Sequence, residues 1–206
     1  MKISFSIITA AACVLLSLHA AAQTQKAATG KQRLFIDVHQ LEPGQVKFAD
    51  VEMAHAKDLA VQKQYDVRFI KYWLDEKSGL VYCLSSAADS NAVRSTHAEA
   101  HGLLPAYTLE VTDGPEVPIS GDKKLFLDIH KLGAGNVTAA AVAEAHQKDL
   151  AVQKKYGVNF INYWVDEKAG IVLCLSEAKN ADDVIHTHKE AHGLVPVEVR
   201  MVKQGE

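Results

Sequence analysis

The chain is expected to fold as α+β, as two tandem βαββαβ units of the ferredoxin-like kind. Three observations lead there. Leu34–Val111 aligns with Leu125–Val202 at a constant offset of 91 without a gap, and 43 of the 78 aligned positions are identical, far beyond coincidence. A period that long, with a full set of elements in each copy, indicates two domains and not a solenoid. Within each copy the apolar pattern changes from alternation to helical spacing and back, in the order β, α, β, β, α, β.

The first strand is "RLFIDVH", alternating and partly β-branched. Its alternation sets Leu34, Ile36 and Val38 toward the helices and Phe35, Asp37 and His39 on the open face. The first helix is "KFADVEMAHAKDLAVQKQY", free of Gly and Pro; in the second copy Thr138 supplies an N-cap and Gly157 a stop. "VRFIKYWLD", the turn "EKSG" and "LVYCLS" make a hairpin, with Trp73 and Asp75 on one face. "DSNAVRSTHAEAHG" is the second helix, capped by Asp89 or Ser90 and ended by Gly102. "PAYTLEV" closes the unit as a short strand.

Outside the repeats, Lys2 precedes an apolar run and the small residues "HAAAQ", which reads as a signal peptide over residues 1–22 cut before Gln23. The mature protein is then periplasmic or secreted, and no later segment is long and apolar enough to span a bilayer. "TDGPEVPISGDKK", residues 112–124, is the linker between domain 34–111 and domain 125–202. Net charge is −3 with no basic stretch, so a nucleic-acid partner is not expected. Cys83 and Cys174 are either a disulfide, which an oxidising compartment permits, or two buried thiols in matching cores.

The chain holds ten His, and eight of them fall in four pairs at the repeat offset: His39/His130, His55/His146, His97/His188 and His101/His192. In the βαββαβ topology His39 ends the first strand, Asp75 ends the second, and His97 and His101 close the second helix, all at one end of the domain. His55 sits in the upper half of the first helix, and Cys83 lies lower, near mid-sheet. His97 and His101 are four apart on one helix face, the spacing two ligands of one ion need. Such a pair on its own is weak, because His also suits a helix C-terminus electrostatically. Convergence of four His per copy makes a metal site the expectation. Asp37, Asp58, Asp75 and Cys83, with Asp128, Asp149, Asp166 and Cys174 in the second copy, are the groups available to complete the ligand set or to orient the imidazoles. No nucleophile elbow, P-loop or dinucleotide glycine motif is present, so no catalytic residue is assigned.

The D-x-H strand, the H-x-x-D-L helix, the Y-W-x-D strand, the Cys in "YCLS" and the closing H-x-x-x-H-G together resemble a small nickel-binding, nickel-responsive ferredoxin-like family. The resemblance spans Leu34–Val111 and Leu125–Val202. It implies nickel as the metal and a pairing of two domains, which here would be an internal pseudo-dimer with the second repeat as partner. Donor chemistry alone leaves zinc, copper and cobalt open. Two other functions stay open at this level. One is a metal-dependent enzyme of the dimeric α+β barrel type, with a pocket between the two sheets. The other is a metal-free interaction module.

Overall fold

The computed structural model describes residues 30–206. The signal-peptide assignment over residues 1–22 therefore lies outside the described residues. The first repeat comprises β1 (Arg33–Gln40), α1 (Phe48–Val61), β2 (Arg68–Asp75), β3 (Leu80–Ala87), α2 (Ser90–Ala100) and β4 (Tyr107–Asp113). The second comprises β5 (Lys124–Lys131), α3 (Ala139–Val152), β6 (Asn159–Asp166), β7 (Ile171–Ala178), α4 (Ala181–Ala191) and β8 (Glu198–Gly205). Both copies follow the expected βαββαβ order.

Helix starts follow from local chemistry. The side chains of Asp89, Thr138 and Asn180 accept from backbone N–H groups of the first turns of α2, α3 and α4. Asp50 folds back to accept from Lys47 N at the head of α1. After α1 and α3 the chain tightens into single 3-10 turns, ended by Asp66 and Gly157 in left-handed conformation. Glycine takes that conformation at no steric cost, and aspartate is one of the few other residues that tolerates it.

The eight strands form one closed antiparallel barrel in the order β1-β3-β2-β8-β5-β7-β6-β4. Each repeat contributes half, and each last strand crosses to the other repeat. Tyr72, Trp73 and Leu74 of β2 pair with Gly205, Gln204 and Lys203 of β8. Thr112 and Asp113 of β4 pair with Val165 and Trp164 of β6. Thus β4 runs two residues into the segment read as linker, and the two repeats pair as an internal pseudo-dimer.

The barrel interior is a continuous apolar core from both repeats. Trp73 and Trp164 meet at its centre with ring centroids 4.8 Å apart, surrounded by Ile36, Val38, Leu127 and Leu175. Each such side chain contributes about 1.5–3 kcal/mol by leaving water. The remainder of the linker is held to the second repeat. Val117 N donates to Ile161 O, Ile119 packs on the core, and the buried Glu177 carboxylate accepts from Ser120 and Gly121 N–H groups.

The strand faces are the reverse of the expectation for β1. Ile36 and Val38 point into the barrel, and Phe35, Asp37 and His39 lie under the helices. Both faces of this sheet are covered, so apolar residues occur on both and alternation alone does not say which is which. In β2 a bulge between Phe69 and Lys71 resets the alternation. Phe69 and Tyr72 thereby both face the helices, while Trp73 and Asp75 share the interior face.

Candidate metal centre

Each repeat holds one His-rich pocket between its sheet and its two helices. In the first repeat α2 delivers His97 from its last turn and His101 from its C-cap, and Gly102 at φ +77° turns the chain away as its N–H bonds to His97 O. β1 supplies Asp37 and His39, β3 supplies Cys83 directly opposite Asp37 in the register, and α1 supplies His55 and Asp58. All except His101 are buried.

His97 is the hub. Its Nδ1 lies 3.0 Å from Asp58 Oδ1 and its Nε2 lies 3.1 Å from Asp37 Oδ1. His39 Nε2 approaches the same Asp37 oxygen at 3.0 Å, and the His39 and His97 rings meet edge-on with centroids 4.7 Å apart. Burial alone would drive His97 neutral, but Asp37 and Asp58 on either side hold it protonated, with its pKa raised to about 9. Asp37 and Asp58 are in turn held below the ordinary carboxylate range: burial opposes this, and their His partners outweigh it. Two carboxylates thus face one imidazolium.

His101 has a different station. Leu103 N–H donates to its Nδ1 at 3.1 Å, so that nitrogen carries no proton and Nε2–H is directed at Asp58 Oδ2, 3.3 Å away. The second repeat repeats this, with Leu194 N–H on His192 Nδ1 and His192 Nε2 at 3.3 Å from Asp149 Oδ2.

The second repeat shows the inner donor set most openly. One ligand atom each from Asp128, His130, Cys174 and His188 lie within 4.8 Å of one another. His130 Nε2 and His188 Nε2 stand 3.1 and 3.4 Å from Asp128 Oδ1, but without hydrogen-bond alignment. Both Asp128 oxygens and His188 Nε2 are therefore buried with no hydrogen-bond partner, as is Asp37 Oδ2 in the first repeat. Orphaned groups of this kind are rare in folded proteins and here they converge. His188 Nδ1 is held at 3.0 Å by Asp149, and its pKa is raised to about 10: burial opposes this, and Asp128 and Asp149 overcome it.

Cys83 and Cys174 are both free. They lie on the helix-facing sides of the two half-barrels, Cys83 with Val51 and Tyr72, Cys174 with Val142 and Tyr163, which removes the disulfide alternative. Burial, with the nearby carboxylates, pushes both thiols well above their ordinary value. Either would become a thiolate only beside a cation.

Two pairs of sequence candidates stand apart. His55 and His146 line the pockets, but their rings rest on Tyr72 and Tyr163 at 4.9 Å, and burial lowers both, keeping them neutral. Asp75 and Asp166 do not reach the cluster at all. They face the barrel interior and accept from Ser78 N–H and Ala169 N–H in their hairpin turns, and Asp75 also pairs with Arg200 at 3.1 Å. Asp75 and His39 do share one end of the domain, but they lie on opposite faces of the sheet, His39 under the helices and Asp75 toward the barrel interior.

Sequence reasoning missed Gly114 and Gly205, which sit just past the aligned repeats. A Cβ on Gly205 would lie 2.2 Å from the Tyr72 ring, and one on Gly114 equally close to Tyr163. Each pocket's tyrosine is thus seated against the last strand of the other repeat. Extending the alignment three residues would have revealed the paired glycines. The cavities beside the donor sets measure about 170 Å³ in the first repeat and about 40 Å³ in the second.

Residues 35–111 and 126–202 each match the family model described as "Nickel responsive protein SCO4226-like". Among solved structures, SCO4226 from Streptomyces coelicolor A3(2) is 35% identical over 40% of this chain and 99% of its own, with a TM-score of 0.37. Chlorite dismutase from Candidatus Nitrospira defluvii is 12% identical over 84% of this chain and 90% of its own, with a TM-score of 0.44. A putative monooxygenase from Lactobacillus acidophilus NCFM is 8% identical over 84% and 94%, with a TM-score of 0.45. No curated protein matches the chain.

Proposed function

The chain belongs to the nickel-responsive SCO4226-like family in two tandem copies, and on that premise we propose that it is an exported protein that binds one nickel ion in each repeat. The observation that carries this reading is the inner donor set of the second repeat. A carboxylate with both oxygens unpartnered, two imidazole Nε2 atoms and a thiol converge in a buried space. The metal would be held by Asp128, His130, Cys174 and His188, and by Asp37, His39, Cys83 and His97 in the first repeat. Asp58 and Asp149 accept from Nδ1 of His97 and His188, the arrangement that fixes the tautomer of a ligating imidazole. Asp58, His97 and His101, and likewise Asp149, His188 and His192, also bring ligand atoms within 4.8 Å of one another; in the proposed arrangement His101 and His192 brace the carboxylates, because their Nδ1 atoms accept from the backbone.

The family description favours nickel, and an imidazole, thiolate and carboxylate set suits a borderline divalent ion. Zinc, copper and cobalt are the competitors. Four protein donors close a four-coordinate ion, which suits buffering or sensing and leaves no position for a substrate. Export rests on the apolar run after Lys2, and among the described residues no helix is long and apolar enough to cross a membrane.

The test is nickel titration of untagged protein, followed by calorimetry and elemental analysis. The expected result is about two equivalents per chain, with a thiolate-to-nickel absorption band. Cys83→Ser should remove half of the band, and Cys83→Ser with Cys174→Ser all of it. Uptake no greater than that of the doubly substituted protein would end the proposal.

A further inference from the structure

At the barrel end where β1 and β5 finish, the apolar filling stops short and a cavity of about 390 Å³ remains between the two repeats. Its walls are Leu80 and Leu109 from one repeat and Ile171 and Leu173 from the other. At the opposite end the linker residue Ile119 packs onto the core. The polar groups at the mouth are unusual in being different in the two halves. Where the first repeat has Leu109 the second has Arg200; Tyr82 corresponds to Leu173, and Tyr107 to Glu198.

The charges at this end cancel within the wall. Arg200 is gripped by Asp75 at 3.1 Å and by Glu198, and Lys131 bonds to Glu198 at 2.8 Å. An ion entering a cavity whose charged groups already satisfy one another would give up its hydration without compensation. Arg200 is fully committed: Nη1 serves Asp75 and Ser78, Nη2 serves Glu198, and Nε is buried out of reach of the cavity. The free donors are phenols. Tyr82, almost wholly buried, presents a phenol hydroxyl, and Tyr107 presents a second at the rim. Aromatic rings beside leucine and isoleucine walls suit a flat apolar body, and unpartnered donors suit an acceptor oxygen on it.

We propose that the barrel mouth is a binding site, separate from the His-rich pockets, for a neutral aromatic carbonyl compound seated between Leu109 and Leu173 with its oxygen toward Tyr82. The site lies between the repeats, so it occurs once per chain, whereas the metal pockets occur twice. The Trp73–Trp164 pair lies in the same barrel core as Leu109 and Leu173, which gives an internal reporter.

The experiment titrates the full metal-free protein with prodan, a neutral aromatic ketone whose emission shifts to the blue in apolar surroundings. Saturation at one equivalent per chain is expected, with energy transfer from the tryptophans. Leu109→Trp and, independently, Leu173→Trp fill the mouth and should abolish binding. Tyr82→Leu, which installs the residue found at the matching position of the other repeat, should weaken it about tenfold, the loss of one hydrogen bond. Cys83→Ser with Cys174→Ser should leave it unchanged, which separates this site from the metal pockets. Circular dichroism and urea unfolding establish that each variant is folded. Absence of saturable binding, two equivalents per chain, or binding indifferent to both tryptophan variants would overturn the proposal.

Discussion

His97 is held by two carboxylates that leave it little choice of charge. Without metal, its folded pKa of about 9 stands above the unfolded value of 6.5. The stability this contributes is complete below about pH 6.5 and is lost as pH rises through 9. Asp37 and Asp58 act oppositely: their folded values are depressed, so their contribution holds above the ordinary aspartate range and fades on acidification. Urea unfolding of metal-free protein across pH should therefore show a maximum between these limits and decline through pH 9. In the proposed site a nickel ion would have to displace the proton on His97 Nε2, so affinity should climb with pH up to about 9, and calorimetry in buffers of different ionisation enthalpy should register proton release. Asp58→Asn, which leaves the ligands in place, should weaken nickel at the first repeat by about 10–100-fold without changing total capacity. His97→Ala should be harsher, costing about 3–5 kcal/mol of metal-free stability because two buried carboxylates lose their counter-charge. The residue types of the site were legible in the sequence, as repeated His and Asp. The proposed division of them into ligands and braces was not, because it rests on the Leu103 and Leu194 backbone N–H groups, which are positioned only once α2 and α4 have ended.

At the scale of elements, the helix ends do most of the positioning. α2 stops at His101 because Gly102 can adopt the left-handed conformation, and this leaves His97 one turn from the end, over β1. The order and extent of strands and helices were readable from periodicity and caps. Which face of β1 met the helices was not, since Phe35, Ile36 and Val38 are all apolar and all buried. Nor was the bulge at Phe69–Lys71, where one extra residue brings Tyr72 under α1. The pairing of β8 with β2 gives a sharp test. Gly205→Ala places a methyl against the Tyr72 ring, and such overpacking costs about 1–3 kcal/mol. The damage should fall on the first repeat's pocket, lowering its nickel affinity while the second site is spared. Gly114→Ala should do the reverse, and site-resolved titration of the two variants distinguishes the cases.

For the molecule as a whole, closure of the barrel is what joins the two halves. Deleting residues 203–206 removes the β8 partners of Tyr72, Trp73 and Leu74 and the Gln204 acceptor of the Trp73 indole. Unfolding should become easier by at least about 2 kcal/mol, at roughly 1 kcal/mol per lost hydrogen bond, as read from the urea midpoint. The duplication and the pairing of the repeats were visible from the sequence; the crossing of the last strands was not, because it lies in residues that look like linker and tail. Were the halves separate identical chains, an arginine introduced near the axis would appear twice and confront its own image, as would any glutamate or tyrosine. Joining them into one polypeptide lifts that restriction. The axis can then carry Arg200 opposite Leu109 and Tyr82 opposite Leu173, giving a handed surface where symmetry would otherwise enforce sameness.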